Sequence, residues 1–149
     1  YSGGESKNPG YREVSLGLTN HAEAVRVEYN PEEVDYATLV EIFFGSHDPT
    51  TLNRQGPDVG KQYRSAIFYA SEQEKEIAIK IKGRLDAEGA FKNPIVTEIT
   101  AFDKFWDAED YHQDYYELNP NQPYIVSVSK PKVEKFMKLF KDKLKAEYK

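Results

Sequence analysis

Hydrophobic and polar positions along the chain follow two periodicities, and each predicts a type of secondary structure. In a strand, alternate side chains share one face. Three segments are predicted as strands: residues 23–29, 63–69 and 95–100. In the first of them, Glu23 falls on the same face as the apolar side chains at the alternate positions that follow it. A carboxyl on such a face is desolvated, and desolvation raises its pKa.

A spacing of three to four residues between apolar positions predicts helices elsewhere. The first runs over about residues 36–44, with Asp35 as its N-cap and Gly45 placed to end it. The second begins after Ser71, which is predicted to form a capping box with Glu74. These signals are local, because they depend only on residues three or four positions apart.

Two further helices are predicted, an aromatic-rich one over residues 108–116 and a C-terminal one over about residues 132–148. Residues 1–12 and 46–62 are predicted as loops, and loops longer than about 12 residues are often functional. The order of strands and helices predicts an α+β or α/β architecture, with a sheet covered by helices. A length of 149 residues fits a single domain, residues 1–149.

Composition narrows the function classes. A net charge of −5 argues against a nucleic-acid-binding surface. The lysines between Lys130 and Lys149 are interrupted by acidic residues, which is typical of a solvated helix face. No apolar run reaches the ~20 residues of a membrane span, and no signal peptide is visible, so a cytoplasmic location is the default expectation. The chain has no cysteine, and its three histidines lie far apart in sequence, so no metal site is expected.

Four segments carry polar residues that neither a core nor a solvated surface accounts for: residues 8–14, 21–25, 54–65 and 108–113. Together, and in this order, they resemble the A-type peptide methionine sulfoxide reductase (MsrA) family. One such motif would be weak support, but four in the right order cover nearly the whole chain. The resemblance implies an α+β fold of ferredoxin-like type, a two-layer sandwich with a mixed sheet covered by helices.

The resemblance also implies a reaction. Members of that family reduce the S-epimer of methionine sulfoxide, free or in proteins, as a repair of oxidative damage. A cysteine attacks the sulfur, a glutamate protonates the departing oxygen, and tyrosines hold that oxygen. No bound cofactor is implied, only an external thiol reductant such as thioredoxin or dithiothreitol. The implied partners are proteins with oxidised methionine, free methionine sulfoxide and a thioredoxin-like reductant; we expect a monomer that binds neither nucleic acid nor membrane.

Carried over motif by motif, the resemblance assigns four residues. Glu23 matches the acid, Tyr11 and Tyr63 match the oxygen-binding tyrosines, and Asp58 matches an aspartate beside them. The chemistry is consistent, because fixed phenol donors stabilise an oxygen whose negative charge grows in the transition state. A desolvated glutamate can remain protonated at a pH where a thiol is already ionised.

The nucleophile is the main departure from the family pattern. The family carries it in a Gly-Cys-Phe-Trp-Gly motif, which we expect in a segment that precedes Tyr1 in the working enzyme. The recycling cysteines that many members have after the Asn119-Pro120 turn are also absent. One alternative is a cysteine-free module that binds oxidised methionine without reducing it. Another is an interaction domain of ferredoxin-like type with a coincidental motif match.

Overall fold

A strand–helix–strand unit forms the centre of the computed structural model, which describes residues 1–149. Strand β3 (Ala66–Tyr69) leads into helix α3 (Glu72–Ala87), and the chain returns as strand β4 (Glu98–Ala101). The two strands are parallel and in register from Ala66 opposite Glu98 to Tyr69 opposite Ala101. Parallel strands need such a crossover, and a helix is its usual form. The predicted strands over residues 63–69 and 95–100 are therefore present but begin about three residues later.

Helix α2 (Tyr36–Ser46) packs against α3, and the core lies between these helices and the strand pair. Its fully buried side chains come from α2, α3 and the approach to β4, and they are Val40, Phe44, Ile81 and Ile95. The predicted apolar stripes of the two helices supply these contacts. Burying such side chains stabilises a fold by about 1.5–3 kcal/mol each.

The local start signals of both helices are confirmed. The Asp35 carboxylate accepts a hydrogen bond of 2.7 Å from the Thr38 N–H. The Ser71 hydroxyl accepts one of 3.2 Å from the Glu74 N–H. The reciprocal half of the predicted capping box is wrong, because the Glu74 carboxylate accepts from the N–H of Ala70, one residue earlier.

The remaining elements are short. Helix α1 (Tyr11–Ser15) is a single turn, and β1 (Arg54–Gln55) and β2 (Asp58–Val59) form an antiparallel hairpin. Helix α4 (Tyr115–Leu118) precedes a π-helical turn that continues directly into helix α5 (Lys130–Leu139). Single 3-10 turns and the π-helical turn have the following bounds: Lys61–Tyr63, Asp110–His112, Ile125–Ser129, Lys141–Lys143 and Ala146–Tyr148.

Gly45 does not end α2, which continues through Ser46 to a C-cap at His47. The reason for glycine at this position is a close approach of α5. A Cβ atom on Gly45 would lie 2.5 Å from the Phe140 ring, which real contacts do not allow. Gly45 thus lets the C-terminal end of α5 rest on α2.

A series of hydrogen bonds through the side chains of His47, Ser65 and Thr97 connects the C-terminal end of α2 to the starts of both central strands. The His47 imidazole donates to the Phe43 carbonyl at 2.7 Å, so its other nitrogen accepts from the Ser65 hydroxyl, also at 2.7 Å. The Ser65 oxygen in turn lies 2.7 Å from the Thr97 hydroxyl. Burial lowers the pKa of His47, which keeps the imidazole neutral as this pattern of bonds requires.

The strand predicted over residues 23–29 is wrong. Within residues 1–149 this segment pairs with no other strand, and the nearest bridge joins Ser2 to Ala22, the residue before it. Val25 is 87% exposed and Val27 is 59% exposed, so no apolar face is formed. Alternation gives a strand only where a partner takes up the backbone hydrogen bonds.

Four other predicted segments need correction. Residues 1–12 include the start of α1, and the predicted loop 46–62 contains the β1–β2 hairpin. The predicted helix over residues 108–116 is only a 3-10 turn followed by the start of α4. The C-terminal helix starts earlier than predicted and ends at Leu139. The architecture is α+β, as predicted.

None of the helices is long and apolar enough to cross a membrane.

Candidate active site

Glu23 lies in a segment whose backbone is held by hydrogen bonds to other parts of the chain. Its backbone N–H donates to the Gln62 carbonyl at 2.8 Å, and the preceding Ala22 is buried against Ser2. The Glu23 side chain reaches the surface but is partly surrounded by protein. This desolvation, and next the negative charge of Asp58, raise the pKa of Glu23. The sequence expectation of a raised pKa therefore agrees with the structure, although the apolar strand face that motivated it does not exist.

Asp58 opens strand β2, directly after the Gly56-Pro57 turn of the hairpin. Gly56 has a φ of +57°, a conformation that glycine adopts without strain. The half-buried Asp58 carboxylate accepts a hydrogen bond from the Tyr124 hydroxyl. This bond and the Asp58 charge, together with burial as the largest cause, raise the pKa of Tyr124 well above its usual range.

Tyr63 is electrostatically linked to the other predicted site residues. It ends the 3-10 turn Lys61–Tyr63, whose N-cap Gly60 has a φ of +148° that only glycine adopts readily. Burial raises the pKa of the Tyr63 hydroxyl, and the charges of Glu23 and Asp58 add to the rise, followed by Tyr11. The ionisation of Tyr63 is thus coupled to all three of the other predicted residues.

Tyr11 is the first residue of α1, and its backbone is held from outside the helix. Its N–H donates to the Glu109 carboxylate at 2.6 Å, while the other Glu109 oxygen accepts from the Tyr1 hydroxyl at 2.8 Å. The His112 ring packs on the Tyr11 ring at 4.4 Å between centroids, and Tyr111 meets it edge-on at 6.5 Å. Residues 109–112 therefore form one wall behind Tyr11.

Three residues at this site were not singled out from the sequence. Tyr124 is one of eleven tyrosines, and its contact with Asp58 spans 66 positions, so no local pattern could identify it. Glu109 lies in a segment that the sequence did flag, but its bond to the Tyr11 N–H is not visible in the motif. Gln62 stands beside Tyr63 and is 5% exposed. The sequence does not show that the Gln62 side chain is buried, and only the structure reveals it.

His21 and His112 both contact other parts of the protein. His21 is 1% exposed, accepts from the Gly4 N–H at 3.0 Å and donates to the Ser6 carbonyl at 2.8 Å. His112 packs against Tyr111, Tyr115 and Tyr11. No group of three or more His, Asp or Glu side chains is placed to hold a metal ion.

The arrangement can support one kind of chemistry with its own residues. Glu23 is bonded through its backbone to the residue before Tyr63, and its raised pKa favours the protonated form of its carboxyl. Such a group can hold an oxygen that gains negative charge and transfer a proton to it. The roles of Glu23, Tyr11, Tyr63 and Asp58 stay predictions, because proximity alone does not assign them.

Comparison with known proteins places these residues in a wider context. The family model described as peptide methionine sulfoxide reductase matches residues 1–144. The protein named peptide methionine sulfoxide reductase MsrA from Trichodesmium erythraeum is 47% identical over 146 residues, covering 98% of this chain and 82% of that protein. The protein of the same name from Haloquadratum walsbyi is 48% identical over 145 residues, covering 97% of this chain and 82% of that protein.

Two solved structures agree in fold as well as sequence. Mxr1 from Saccharomyces cerevisiae in reduced form has a TM-score of 0.76 and 39% identity, covering 81% of this chain and 69% of that chain. Methionine sulfoxide reductase A of Corynebacterium diphtheriae has a TM-score of 0.69 and 40% identity, covering 80% of this chain and 61% of that chain.

Proposed function

Because this chain belongs to the peptide methionine sulfoxide reductase family, we propose that it serves the reduction of methionine S-sulfoxide. The substrate is the S-epimer, in proteins or as the free amino acid, and the reaction repairs oxidative damage. The chain is an oxidoreductase of that family. The proposal includes a ferredoxin-like two-layer sandwich, which the parallel β3–α3–β4 unit supports.

The observation that carries the proposal is a pair of hydrogen bonds at Gln62, the residue before Tyr63: its carbonyl accepts from the Glu23 N–H, and its side chain donates to Ser15 at the end of the helix that begins with Tyr11. A sulfoxide oxygen is a strong acceptor, so two phenol hydroxyls can hold it as its charge grows. Glu23 beside them has a raised pKa, first from burial and then from the Asp58 charge. An acid of this kind retains its proton at a higher pH than an ordinary glutamate does.

In the proposed reaction a thiolate attacks the sulfoxide sulfur while Glu23 protonates the oxygen. The attack forms a sulfur–sulfur bond, and the oxygen leaves as water after it accepts the proton of Glu23 and one from solvent. Water then attacks the former thiolate sulfur and loses a proton, the sulfur–sulfur bond breaks, methionine departs with the electron pair, and a sulfenic acid is left on the thiol. A second thiol then attacks the sulfenic acid, which forms a disulfide and releases water. None of the 149 residues is a cysteine, so the attacking thiol comes from outside this sequence. We propose a thioredoxin-like protein as the reductant and a monomer as the working form.

A second candidate function is a module that binds oxidised methionine without turnover. The absence of cysteine from the 149 residues favours it. The acid weighs against it, because a pure binder gains nothing from a carboxyl whose pKa is raised at the oxygen site. The two candidates differ in whether sulfoxide is consumed.

The test uses protein expressed from its complete coding sequence, incubated with dithiothreitol and with each sulfoxide epimer separately. We expect the S-epimer to be converted to methionine and the R-epimer to be left unchanged. Saturable binding of the S-epimer without conversion would instead support the binding module. If the protein neither binds nor converts the S-epimer, both candidate functions are overturned.

A further inference from the structure

Gln62 is a buried polar side chain at the centre of the site. It is 5% exposed, and its amide Nε2 donates to the Ser15 carbonyl at 2.8 Å. A buried amide without a partner costs about 1–3 kcal/mol. The bond to Ser15 therefore determines the direction in which the Gln62 side chain is held.

This bond links Gln62 to Tyr11 through α1. Ser15 is the last residue of that helix and Tyr11 is the first, and the helix is only one turn long. Val14 anchors it with 0% exposure. Because a single turn has little freedom between its ends, fixing the Ser15 carbonyl also fixes the origin of the Tyr11 side chain.

The backbone of Gln62 links it to the other two predicted residues. Its carbonyl accepts the Glu23 N–H at 2.8 Å, and Tyr63 is the next residue in the chain. The Gln62 side chain also acts on the Tyr63 hydroxyl, where it partly opposes the rise in the pKa of Tyr63. Gln62 is thus joined to the segments that carry Tyr11, Glu23 and Tyr63.

Gly60 leaves room for the Gln62 side chain. A Cβ atom on Gly60 would lie 2.2 Å from the Gln62 Oε1, closer than real contacts allow. A Cβ atom on Gly17 would lie 3.5 Å from the same oxygen. The space around the Gln62 amide therefore depends on the absence of a side chain at Gly60, whereas the distance at Gly17 is an ordinary van der Waals contact.

We propose that Gln62 is a positioning residue that sets the spacing of Tyr11, Glu23 and Tyr63 around the substrate oxygen. The proposal depends on the proposed function, because it concerns the geometry of that reaction. Gln62 contacts the protein groups and not the sulfoxide. Its loss disturbs how the donors converge in the transition state more than it disturbs binding, since a displacement of about 1 Å can lower a rate by about 100-fold.

Steady-state kinetics on the complete protein test the proposal, with the S-epimer and dithiothreitol. In Gln62→Met, which keeps the volume and loses the donor, kcat/KM is expected to fall about 10- to 100-fold, mostly through kcat. The matched control is Thr97→Val, which removes a different buried hydrogen bond, to Ser65, in the strand pair. We expect Thr97→Val to stay within about twofold of wild type at equal folded fraction. Equal losses in the two variants would overturn the proposal.

A second measurement does not require turnover. The carboxyl of Glu23 is titrated by NMR in wild type, Gln62→Met and Thr97→Val. The neighbouring charges that act on it are Asp58, which raises its pKa, and the N-terminal ammonium of Tyr1, which lowers it, and Glu23 in turn acts on Tyr63 and Tyr124. The titration midpoint is expected to shift toward the ordinary value in Gln62→Met alone. An unchanged midpoint in that variant overturns the role of Gln62, whereas an inactive wild type overturns the proposed function.

A third variant covers the case in which Gln62→Met does not fold. Gln62→Asn keeps the amide but is one methylene too short to reach the Ser15 carbonyl. It is expected to show the same loss in kcat and the same shift in the Glu23 midpoint. A Gln62→Asn protein with wild-type values for both would contradict the proposal.

Discussion

The Tyr124 hydroxyl donates a hydrogen bond to the Asp58 carboxylate, across 66 positions of the chain. Tyr124 lies directly before the π-helical turn Ile125–Ser129, and Asp58 begins strand β2. The bond therefore fixes the C-terminal helical segment to the hairpin that carries the site aspartate. Because the Asp58 charge is one cause of the raised pKa of Glu23, Tyr124 takes part in arranging the site.

Removing this hydroxyl tests its contribution. Tyr124→Phe keeps the ring and leaves the Asp58 carboxylate without its donor, so we expect kcat/KM for the S-epimer to fall about tenfold. Hydrogen bonds to charged groups contribute about 1.5–3 kcal/mol, and 1.4 kcal/mol corresponds to a factor of ten. The control is Tyr116→Phe, since Tyr116 is 37% exposed. Equal rates for Tyr124→Phe and Tyr116→Phe would exclude a role of Tyr124 in the site.

The pH dependence of the reaction tests the coupling between Asp58 and Glu23. The Asp58 charge disfavours ionisation of Glu23, so Asp58→Asn is expected to let Glu23 lose its proton at lower pH. The alkaline limb of the kcat/KM profile then moves to lower pH by less than about one unit, because burial, the larger cause, remains. The exposed Asp103, replaced by Asn, serves as the control. If the alkaline limb does not move in Asp58→Asn, the ionisation of Glu23 does not depend on the Asp58 charge.

Local sequence signals identified the parts of the fold that depend on neighbouring residues. Asp35 and Ser71 were predicted as N-caps and act as such, because a cap depends on residues two or three positions away. The sequence predicted a sheet covered by helices, but it did not predict the parallel pairing of β3 and β4. Its register depends on contacts about 32 residues apart, which no local pattern encodes.

The errors have the same physical origin. Residues 23–29 alternate like a strand, but alternation does not supply a partner for the backbone. Gly45 looks like a helix terminator, but its role is to let Phe140 approach. At the site, motif resemblance brought Glu23, Asp58 and Tyr63 to notice, while Tyr124 and Gln62 required the three-dimensional structure.

Two helical glycines make opposite predictions for stability. In Gly45→Ala the new Cβ would meet the Phe140 ring at 2.5 Å, so we expect a loss of about 1–3 kcal/mol in the free energy of unfolding. In Gly83→Ala nothing lies within 4 Å of the new Cβ, and alanine favours the helix, so a gain of about 0.5–1 kcal/mol is expected. Urea unfolding measures both. A stabilised Gly45→Ala would show that α5 does not rest on α2.

The buried His47 predicts a pH dependence of stability. Its pKa is lowered from 6.5 by burial, so protonation costs more in the folded than in the unfolded state. Stability is therefore full above pH 6.5 and is lost as the pH falls from 6.5 toward the lowered pKa. The slope is at most about 1.4 kcal/mol per pH unit. Urea unfolding of His47→Gln is expected to show a free energy of unfolding without this pH dependence. An equal slope in the wild type and in His47→Gln would contradict the prediction.

The central claim is that Glu23 donates the proton to a sulfoxide oxygen held by Tyr11 and Tyr63. It is tested most directly by the pH profile of kcat/KM for Glu23→Gln, measured on the complete protein with the S-epimer and dithiothreitol. Glutamine keeps the shape of the side chain and cannot donate that proton. Because general acid catalysis contributes about 100- to 10,000-fold, we expect a loss in that range, with no alkaline limb assignable to Glu23. A folded Glu23→Gln protein with the wild-type rate and the wild-type alkaline limb would contradict the claim.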